Sequence, residues 1–391
     1  MTRDSILEEV LGINSNAILL QMGTGTGKTR LAIEKTMSID CKKVLVVAPK
    51  HAVLEGWKVE FATWGYEEFL PNITFSTYNS LEKHSDVDWD MIIFDEAHHL
   101  SERCRDIFAL MTTKNVMFLS ATMTREIIRF INILYPNLYS YYIGMKKTID
   151  EGILPDPEII LIPLKLDSNK VTCDIVKNPK GKTPGWICPY SKRWDYIRQK
   201  HTRVIVRCTQ QEYYDDLCSQ VDYYKRKGMY SEILKNKWLK IAGERLKWLA
   251  RQKNQVVKTI LNKLQNERTL TFCCDIEQSD YFGPNSINSK NKNALDILGQ
   301  FNEGSIDHIQ ACNMLDEGVN LVDCRVGIFA NINSSERIIT QRNGRILRHP
   351  KPVIILPYFI NTREEELVNK MMENYNPKLI KTVTSLLNFK L

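Results

Sequence analysis

Residues 16 to 30 constrain the fold of this chain more than any other stretch, and they read Asn-Ala-Ile-Leu-Leu-Gln-Met-Gly-Thr-Gly-Thr-Gly-Lys-Thr-Arg. An apolar run leads into glycines at positions 23, 25 and 27, and Lys28 and Thr29 then open an amphipathic segment. This order predicts a strand, a glycine-rich loop and a helix. Glycines adopt dihedrals that are closed to other residues, so successive N–H groups can point at an anion in front of the positive end of the helix. The stretch therefore predicts a binding site for a chain of phosphates.

The loop is close to the Walker A pattern G-x-x-x-x-G-K-[ST], although Met22 stands where the pattern has glycine and Gly23 follows one place later. Lys28 is expected to reach the β- and γ-phosphates of a nucleotide, and the Thr29 hydroxyl is expected to ligate Mg²⁺. The alternative is a glycine-rich turn before an ordinary helix, which the flanking strand and helix disfavour. The residues predicted to bind the nucleotide are Gly23, Thr24, Gly25, Thr26, Gly27, Lys28, Thr29 and Arg30.

Length and composition indicate an ordinary soluble protein of two domains or more, with 391 residues, 43% apolar and 25% charged. No apolar run has the length of a membrane span and the N-terminus lacks a signal-peptide core, so we expect a cytoplasmic protein without membrane contact. Ten cysteines occur without C-x-x-C pairs or zinc-type spacing, which favours reduced, buried thiols. The net charge of +7 permits a polyanionic partner without requiring one.

Short apolar runs alternate with helical patterns after the loop. A helix is predicted at residues 4–11 before the loop, and further strands are predicted at 44–48, 73–76, 91–94 and 116–119. Near-continuous Val, Ile and Leu strands separated by helices indicate a parallel sheet covered on both faces. Ligands of such sheets bind beyond the carboxyl ends of the strands. The residues that follow the predicted strands are Gly23 to Thr29, Pro49 and Lys50, Thr77 and Tyr78, Asp95 to His98, and Ser120 to Thr122.

The pattern breaks around residues 153–157, where Gly152 is followed by Pro155 and Pro157, and this places a domain boundary after residue 154. A second α/β series follows, with strands predicted at 270–274, 306–311, 326–330 and 353–356. Between the boundary and this series lies a basic insertion at about 167–265, with long helices at 211–227 and 232–264. These helices are either a solvated face or the border of a nucleic-acid track, and both interpretations stay open.

Two adjacent carboxylates follow the strand at 91–94. In the functional interpretation of this Asp-Glu-Ala-His run, Asp95 holds hydrated Mg²⁺ while Glu96 orients and deprotonates an attacking water. The alternative is a pair of surface acids in a turn. The phosphate loop on the same predicted sheet edge favours the functional interpretation.

Near the other end of the chain, residues 341–348 read Gln-Arg-Asn-Gly-Arg-Ile-Leu-Arg. Gln341, Arg345 and Arg348 are spaced to share one face of a helix. Phosphoryl transfer spreads charge over equatorial oxygens, which a guanidinium fork meets better than an ammonium. Because these arginines belong to the second α/β series, they predict a cleft shared by two domains. The alternative is a basic surface helix, or one that binds nucleic acid.

Four segments resemble, in order and spacing, those of superfamily 2 helicases and translocases of the DEAH-box type. They are Met22 to Thr29, Asp95 to His98, Ser120 to Thr122 and Gln341 to Arg348. Further segments that match are Ala48-Pro49-Lys50 with Trp57, Thr77-Tyr78, and residues 315–321. The stretch at 45–64 looks most like Snf-type translocases and compact phage helicases of the UvsW sort. The chain departs from the family in two places, since it shows no adenine-reading glutamine motif and has Cys312 and Asn313 where many relatives have threonine.

The resemblance implies two RecA-like parallel-sheet domains in tandem (residues 1–154 and 155–391), with ATP and Mg²⁺ in the cleft between them and a nucleic-acid strand across both. It implies catalytic roles for Lys28, Asp95, Glu96, Gln341, Arg345 and Arg348, with Thr29 and Asp95 as Mg²⁺ ligands. Gly318 and Asn320 would lie near the nucleotide. His98, Ser120 and Thr122 would couple hydrolysis to domain movement. Pro49, Lys50 and Thr77 would contact the nucleic-acid backbone.

We therefore expect an ATP-dependent helicase or translocase, a nucleic-acid-stimulated ATPase that acts on DNA rather than RNA in replication, recombination or repair. The compact form suggests a phage or viral protein in the host cytoplasm, monomeric and working with replication or repair proteins. One alternative is a motor that moves on duplex DNA without separating the strands. Another is a nucleic-acid-binding scaffold with a vestigial ATPase, which the presence of Lys28, Glu96, Arg345 and Arg348 disfavours. A restriction motor is a further alternative, but no nuclease motif is visible.

Overall fold

The computed structural model describes residues 2–177, 192–195, 200–312, 321–389 and 391. Within these residues the strands form two parallel sheets in tandem and one small antiparallel sheet. The strands of the first sheet all lie before residue 144, and those of the second begin at residue 158.

The first sheet consists of β1 (Ala17–Met22), β2 (Val44–Ala48), β3 (Ile73–Thr77), β4 (Trp89–Asp95), β5 (Thr113–Ser120) and β6 (Tyr139–Ile143). The helices around it are α1 (Arg3–Leu11), α2 (Lys28–Met37), α3 (His51–Thr63), α4 (Glu102–Phe108), α5 (Arg125–Leu134) and α6 (Met145–Asp150). The described strands lie in the order β3-β2-β4-β5-β1-β6, and each neighbouring pair is parallel. All their carboxyl ends therefore meet at one edge of the sheet.

Both faces of the first sheet are covered, as the apolar strands predict. In β1, Ile18 and Leu20 belong to one buried cluster, whereas Ala17 and Leu19 belong to the opposite one. Successive side chains of a strand point to opposite faces, so one apolar strand supplies both layers. Helices α1, α2 and α3 pack on the first face, and α4 and α5 pack on the second.

The chain then enters the second sheet through β7 (Glu158–Leu164) and leaves it for an insertion. The insertion contains β8 (Val171–Lys177), β9 (Lys192–Asp195), β10 (Lys200–Thr209), α7 (Gln210–Gly228), α8 (Glu232–Gln252) and α9 (Asn254–Lys263). Strand β10 pairs antiparallel with both β8 and β9. The parts of the predicted basic segment at 178–191 and 196–199 lie outside the described residues.

The prediction of one helix at 232–264 is wrong, because the structure has α8 and α9 with a break at Lys253. The Lys253 side chain is fully buried, and its Nζ donates to Glu364 Oε1 at 2.6 Å and to the Pro357 carbonyl oxygen at 3.1 Å. A lysine buried this completely needs a charged partner. The ion pair thus anchors the base of the insertion to the second domain.

The remaining strands of the second sheet are β11 (Thr269–Phe272), β12 (Ser286–Ile287), β13 (His308–Ala311), β14 (Val326–Phe329), β15 (Val353–Phe359) and β16 (Ile380–Thr382). Its helices are α10 (Ile276–Phe282), α11 (Ala294–Asn302), α12 (Glu336–Ile346) and α13 (Arg363–Met372). The described strands lie in the order β12-β13-β11-β14-β15-β7-β16, again with parallel neighbours. The second sheet is thus also of the predicted parallel α/β class.

The order of strands and helices confirms two parallel-sheet α/β domains in tandem. The described segments with predicted functions lie at the ends of strands of the first sheet, or in and just after α12 of the second domain. Among the described helices, none combines the length and the apolar character that crossing a membrane requires.

Candidate functional site

The glycine-rich loop joins β1 to α2. Gly25 and Gly27 have φ angles of +84° and +93°, in the left-handed region that favours glycine. Gly27 directly precedes α2, and no side chain caps the first N–H groups of this helix. Uncapped N–H groups at a helix N-terminus attract anions. The loop thus has the conformation that a phosphate cradle requires.

Lys28, the first residue of α2, is buried within the loop. Its Nζ donates to the carbonyl oxygens of Met22 at 2.9 Å and Gly23 at 3.1 Å. Burial lowers the pKa of Lys28, and the nearby carboxylates of Glu96 and Asp95 oppose this shift. The ammonium group therefore lies close to both acidic side chains that follow β4.

Asp95, the last residue of β4, is held by three hydrogen bonds. Trp57 Nε1–H donates to Asp95 Oδ2 at 2.8 Å, and the Glu96 N–H donates to Oδ1 at 2.9 Å. The Tyr78 hydroxyl donates to the Asp95 carbonyl oxygen at 2.8 Å. Burial raises the pKa of the Asp95 carboxyl to about 6, and the charge of Glu96 adds to this effect. The sequence places Trp57 in a segment that matches the family but predicts no role for it; the one signal for its contact with Asp95 is that a buried indole N–H needs an acceptor.

Glu96 has an unusual backbone conformation, with φ +50° and ψ +54°. A non-glycine residue in this region costs about 1–3 kcal/mol, and such residues cluster at functional sites. The Glu96 Oε2 atom lies 3.3 Å from His98 Nδ1. The strained turn thus places the carboxylate beside the histidine of the same motif.

His98 connects the two domains. Its Nδ1 lies 3.0 Å from Ser120 Oγ, and the Ser120 hydroxyl contacts the Thr122 carbonyl oxygen at 2.7 Å. On the other side of the ring, Arg337 Nη1 lies 2.6 Å from His98 Nε2. A guanidinium can only donate, so Nε2 accepts and Nδ1 carries the proton. The structure therefore brings His98, Ser120 and Thr122 together and adds Arg337, which sequence reasoning missed although it lies one helical turn before Gln341.

The end of helix α12 brings the arginines of the second domain to the phosphate loop. The prediction that Gln341, Arg345 and Arg348 share one helix face is wrong for Arg348, because α12 ends at Ile346, two residues before it. Arg345 and Arg348 line a cleft of about 410 Å³ together with residues 24–31, Asp95 and Glu96. A Cβ atom built on Gly344 would lie only 2.4 Å from the Thr24 Cβ. The helix therefore touches the loop directly, and the two domains share one cleft.

The Thr24 hydroxyl of the loop is a buried polar atom without a hydrogen-bond partner within the described part of the chain, and so is the amide of Gln341 in α12. Buried polar groups in proteins are nearly always satisfied, so the Thr24 hydroxyl, whose residue lines the cleft, fits a polar ligand. Gln341 is 1% exposed and does not line the cleft, although the sequence predicts a catalytic role for it.

The other end of the cleft is aromatic and charged. The Arg30 guanidinium lies 4.1 Å from the centroid of the Trp64 ring and 3.3 Å from Asp4 Oδ1. Trp64 Nε1 donates to Glu60 Oε2 at 2.9 Å. Arg3 also lines the cleft, with Nη2 donating to the Gly25 carbonyl oxygen at 3.3 Å. Of these residues only Arg30 was predicted.

The predicted nucleic-acid contacts lie apart from the cleft. Pro49 and Lys50 follow β2, and Thr77 ends β3, so all three lie at the carboxyl edge of the first sheet. Lys50 is exposed, whereas Thr77 is buried. Gly318 and Asn320, predicted to lie near the nucleotide, fall outside the described residues.

The donor set fits Mg²⁺ that enters together with a nucleotide. Among the described residues, no cluster of three or more His, Cys, Asp or Glu side chains could hold a metal ion. Magnesium usually takes one or two protein ligands and completes its shell with substrate phosphates and water. Thr29 and Asp95 line the same cleft and can supply those ligands.

Comparison with protein families matches each domain separately. Residues 4–125 match the family described as "Type III restriction enzyme, res subunit", and residues 252–350 match "Helicase conserved C-terminal domain". One match therefore falls on each parallel sheet. Together the two matches support a superfamily 2 helicase.

Individual relatives agree with this class. The chain is 26% identical over 352 residues to DNA 3'-5' translocase XPB2 of Sulfurisphaera tokodaii, a match over 84% of this chain and 74% of the relative. Among solved structures, it is similar to S. cerevisiae Dbp5 bound to RNA and ADP BeF3, with a TM-score of 0.60, 9% identity, and coverage of 98% of this chain and 89% of that one. It is also similar to the Pyrococcus furiosus Hef helicase domain, with a TM-score of 0.52, 14% identity, and coverage of 94% and 97%. These likenesses confirm the fold of two RecA-like domains in tandem.

Proposed function

We propose that this chain is an ATP-dependent DNA helicase or translocase that hydrolyses ATP between its two RecA-like domains. One observation carries the proposal: Lys28, Asp95 and Glu96 of the first domain line the same cleft as Arg345 and Arg348 of the second. The family matches and the similarity to a DNA translocase support the same function.

The first domain supplies the groups that bind the phosphates and activate the attacking water. The loop N–H groups and the Lys28 ammonium hold the phosphates, with Lys28 exchanging its carbonyl contacts for phosphate oxygens. Thr29 and Asp95 would hold Mg²⁺, whose charge neutralises the phosphate oxygens. Glu96 orients a water molecule and accepts its proton at a carboxylate oxygen.

The second domain supplies positive charge in the transition state. Arg345 and Arg348 reach into the cleft from the α12 region, and Gln341 lies on the same face of that helix as Arg345, with its amide unsatisfied. Side chains from both domains are then needed to surround one triphosphate. ATP binding therefore favours a closed cleft, and product release favours an open cleft. The contact of Arg337 with His98 gives the second domain a direct connection to the Asp-Glu-Ala-His turn.

Each cycle of closing and opening would shift the domains along a bound strand. Pro49, Lys50 and Thr77 at the carboxyl edge of the first sheet would contact the sugar-phosphate backbone. Contacts of this kind carry no sequence information and weaken steeply with salt.

ATP hydrolysis by the purified protein, with and without DNA, tests the proposal. Lys28→Ala, Glu96→Gln and Arg345→Ala should each lower DNA-stimulated turnover by at least about a hundredfold, because each removes a charge or a base from the reacting centre. Lys58→Ala and Glu82→Gln are matched controls, since both residues form surface ion pairs away from the cleft. Normal turnover by Lys28→Ala or Glu96→Gln would show that the catalytic assignment is wrong.

A second candidate is a motor that moves on duplex DNA without separating strands. The name of the Sulfurisphaera tokodaii relative, a DNA 3'-5' translocase, favours this candidate. A strand-displacement assay beside a triplex-displacement assay distinguishes the two. A translocase displaces the third strand of a triplex and leaves a forked duplex intact.

Finer assignments belong to the proposal as well. We place the chain in the DEAH-box type on the motif from Asp95 to His98, and near Snf-type and UvsW-like proteins on the stretch at 45–64. We place the domain boundary after residue 154, between the last strand of the first sheet and the first strand of the second. Setting, oligomeric state, location in the cell and protein partners stay predictions from the sequence.

A further inference from the structure

Helices α7 and α8 form a hairpin whose end projects from the second domain. We call residues 225–240 the hairpin tip; they contain the end of α7, the connection and the first part of α8. Among the described residues of α8, only Leu249 and Ala250 are buried, and both lie near its C-terminal end. At 1.5 Å per residue, Lys235 lies about 27 Å along the helix from the buried Lys253 anchor. The tip is thus held at its base and exposed to solvent at its end.

The hairpin tip concentrates positive charge. It contains one acidic residue, Glu232, and six basic residues, namely Lys225, Arg226, Lys227, Lys235, Lys237 and Lys240. Its formal charge is therefore +5, whereas the whole chain of 391 residues carries +7. All six basic side chains are exposed. Among the described residues, no carboxylate forms an ion pair with Lys225, Lys235 or Lys240.

Apolar side chains are exposed between these charges. Met229, Tyr230 and Ile233 are 80%, 86% and 80% exposed. They add nothing to the core of the hairpin, and a cluster of exposed apolar side chains rimmed by charge is typical of an interaction site. An open groove of about 870 Å³ lies beside them, lined by Arg226, Met229 and Lys235 among others.

We propose that the hairpin tip is a second nucleic-acid contact site, separate from the carboxyl edge of the first sheet. Lys225, Lys235 and Lys240 contact phosphates, while Met229, Tyr230 and Ile233 pack against bases that are exposed in a single strand. Nucleic acid is the polyanion whose charges flank flat apolar rings, so it matches lysines interleaved with apolar side chains better than an acidic protein surface does. This inference rests on the proposed function, because it adds a contact for the same substrate.

A charge variant tests the phosphate contacts. Lys225→Ala, Lys235→Ala and Lys240→Ala are combined, and binding of a fluorescein-labelled DNA duplex and of the matching single strand is measured by anisotropy across about 50–200 mM salt. The slope of log K against log salt is negative, and each lost phosphate contact on duplex makes it shallower by about 0.9. The magnitude of the slope should therefore decrease by about 2–3. Affinity should drop by about tenfold or more. The control removes the same charge from other exposed lysines of the second domain, Lys290→Ala, Lys370→Ala and Lys378→Ala, and should keep the parent slope.

An apolar variant tests the base contacts separately. Met229→Ser, Tyr230→Ser and Ile233→Ser remove no charge, so the salt slope should stay as in the parent while single-strand affinity falls by about tenfold, in the range of one lost base stack. Circular dichroism checks that both variants keep their helical hairpin.

The outcomes separate this inference from the proposed function. Parent-like binding by either tip variant, or an equal loss of slope in the lysine control, overturns the hairpin tip as a site. If that happens while the parent still hydrolyses ATP and Lys28→Ala does not, the proposed function stands. If the parent neither binds DNA nor hydrolyses ATP, the proposed function fails together with this inference.

Discussion

Residues of the site are held in place by neighbours for which the sequence predicted no role. Trp57 Nε1 donates to Asp95 Oδ2, and Arg337 Nη1 contacts His98 Nε2 from the opposite domain. Neither neighbour is adjacent in sequence to the residue that it holds. At the residue scale, the site is therefore a set of motif side chains plus a second set that fixes their orientation.

Arg337 should matter for turnover more than for ATP binding. Arg337→Ala removes a charged hydrogen bond, so we expect kcat of DNA-stimulated ATP hydrolysis to fall about tenfold to a hundredfold, the equivalent of about 1.5–3 kcal/mol. The KM for ATP should change little, because Arg337 does not line the cleft. Arg337→Lys should recover part of the rate, since it keeps one donor.

The mechanism of this loss can be checked with a double variant. If Arg337 acts through His98, then His98→Ala and Arg337→Ala combined should be no slower than the slower single variant. Arg103→Ala is the control, because Arg103 forms an exposed ion pair with Glu82. If the fold-decrease in kcat of the double variant equals the product of the two single decreases, Arg337 does not act through His98.

At the scale of secondary-structure elements, polar residues fix how strands and helices are joined. Asp90 in β4 accepts hydrogen bonds from the Lys42 and Lys43 N–H groups at 2.9 and 3.0 Å and from Lys114 Nζ at 2.6 Å. It thus ties β4 to β5 and to the start of β2. Lys253, between α8 and α9, similarly ties the insertion to α13 through Glu364.

The Asp90 contacts predict a pH-dependent contribution to stability. The hydrogen bond from Lys114, together with the two backbone N–H groups, lowers the pKa of Asp90 to about 2. Because this value is below that of the unfolded chain, the carboxylate stabilises the fold above about pH 4, and the contribution is lost as pH falls towards about 2. Asp90→Ala should therefore lower the free energy of unfolding by about 1–2 kcal/mol at about pH 7 and by less at about pH 3.

Urea unfolding followed by circular dichroism measures this difference. Lys114→Ala should reproduce part of this pH dependence, because the hydrogen bond from Lys114 contributes most to the lowered pKa of Asp90. Asp106→Ala, at an exposed aspartate of the same domain, is the control. A difference between the parent and Asp90→Ala that stays constant with pH would show that the carboxylate charge is not involved.

Removing one charge of the buried Lys253–Glu364 pair should destabilise the protein more than removing both. Lys253→Met leaves the Glu364 carboxylate buried without its partner, and should destabilise the protein by about 3–5 kcal/mol. Lys253→Met combined with Glu364→Leu removes both charges and should recover most of that loss. Thermal unfolding measures both effects, with a fall in midpoint of roughly 10 °C for the single variant.

Lys247→Met provides the matched control on the same helix, since Lys247 pairs with Glu244 at 3.6 Å and is partly exposed. It should leave the midpoint nearly unchanged. A double variant as unstable as Lys253→Met would contradict the buried-charge explanation.

At the scale of the whole molecule, the site exists because α12 of the second domain contacts the phosphate loop of the first. Gly344 lies directly against the loop, since a Cβ atom there would overlap Thr24 Cβ and lie 2.8 Å from the Thr24 carbonyl oxygen. A backbone atom cannot yield as a flexible side chain can. The cleft therefore depends on glycine at this position in the second domain.

Gly344→Ala should keep both domains folded but hold them apart. We expect ATP hydrolysis to fall at least about tenfold, because Arg345 and Arg348 would then lie too far from the loop for accurate positioning. Thermal unfolding and steady-state ATPase rates separate the loss of closure from a loss of folding. Gly299→Ala in α11 is the control, since no atom lies within 4 Å of its added Cβ. A parent-like rate for Gly344→Ala would show that this contact is absent from the working state.

Predictions from the sequence succeeded where the signal was local. Strand β2 was predicted at its observed bounds, because five consecutive buried apolar residues mark a central parallel strand. Edge strand β6 was missed because of its five residues only Tyr141 and Ile143 are buried. The break at Lys253 was missed, and so was the buried ion pair of Lys253, whose partner Glu364 lies 111 residues away along the chain.

Local patterns specify the parallel α/β class, the phosphate loop and the side chains at the ends of the strands, because periodicity, glycine spacing and short motifs act over a few residues. Which distant groups meet depends on tertiary packing. Trp57 reaches Asp95 because α3 packs on the first sheet, whereas Arg337 meets His98 and Gly344 meets Thr24 because the two domains pack together. That packing is the sum of many weak contacts along the whole chain, and no single stretch of residues encodes it.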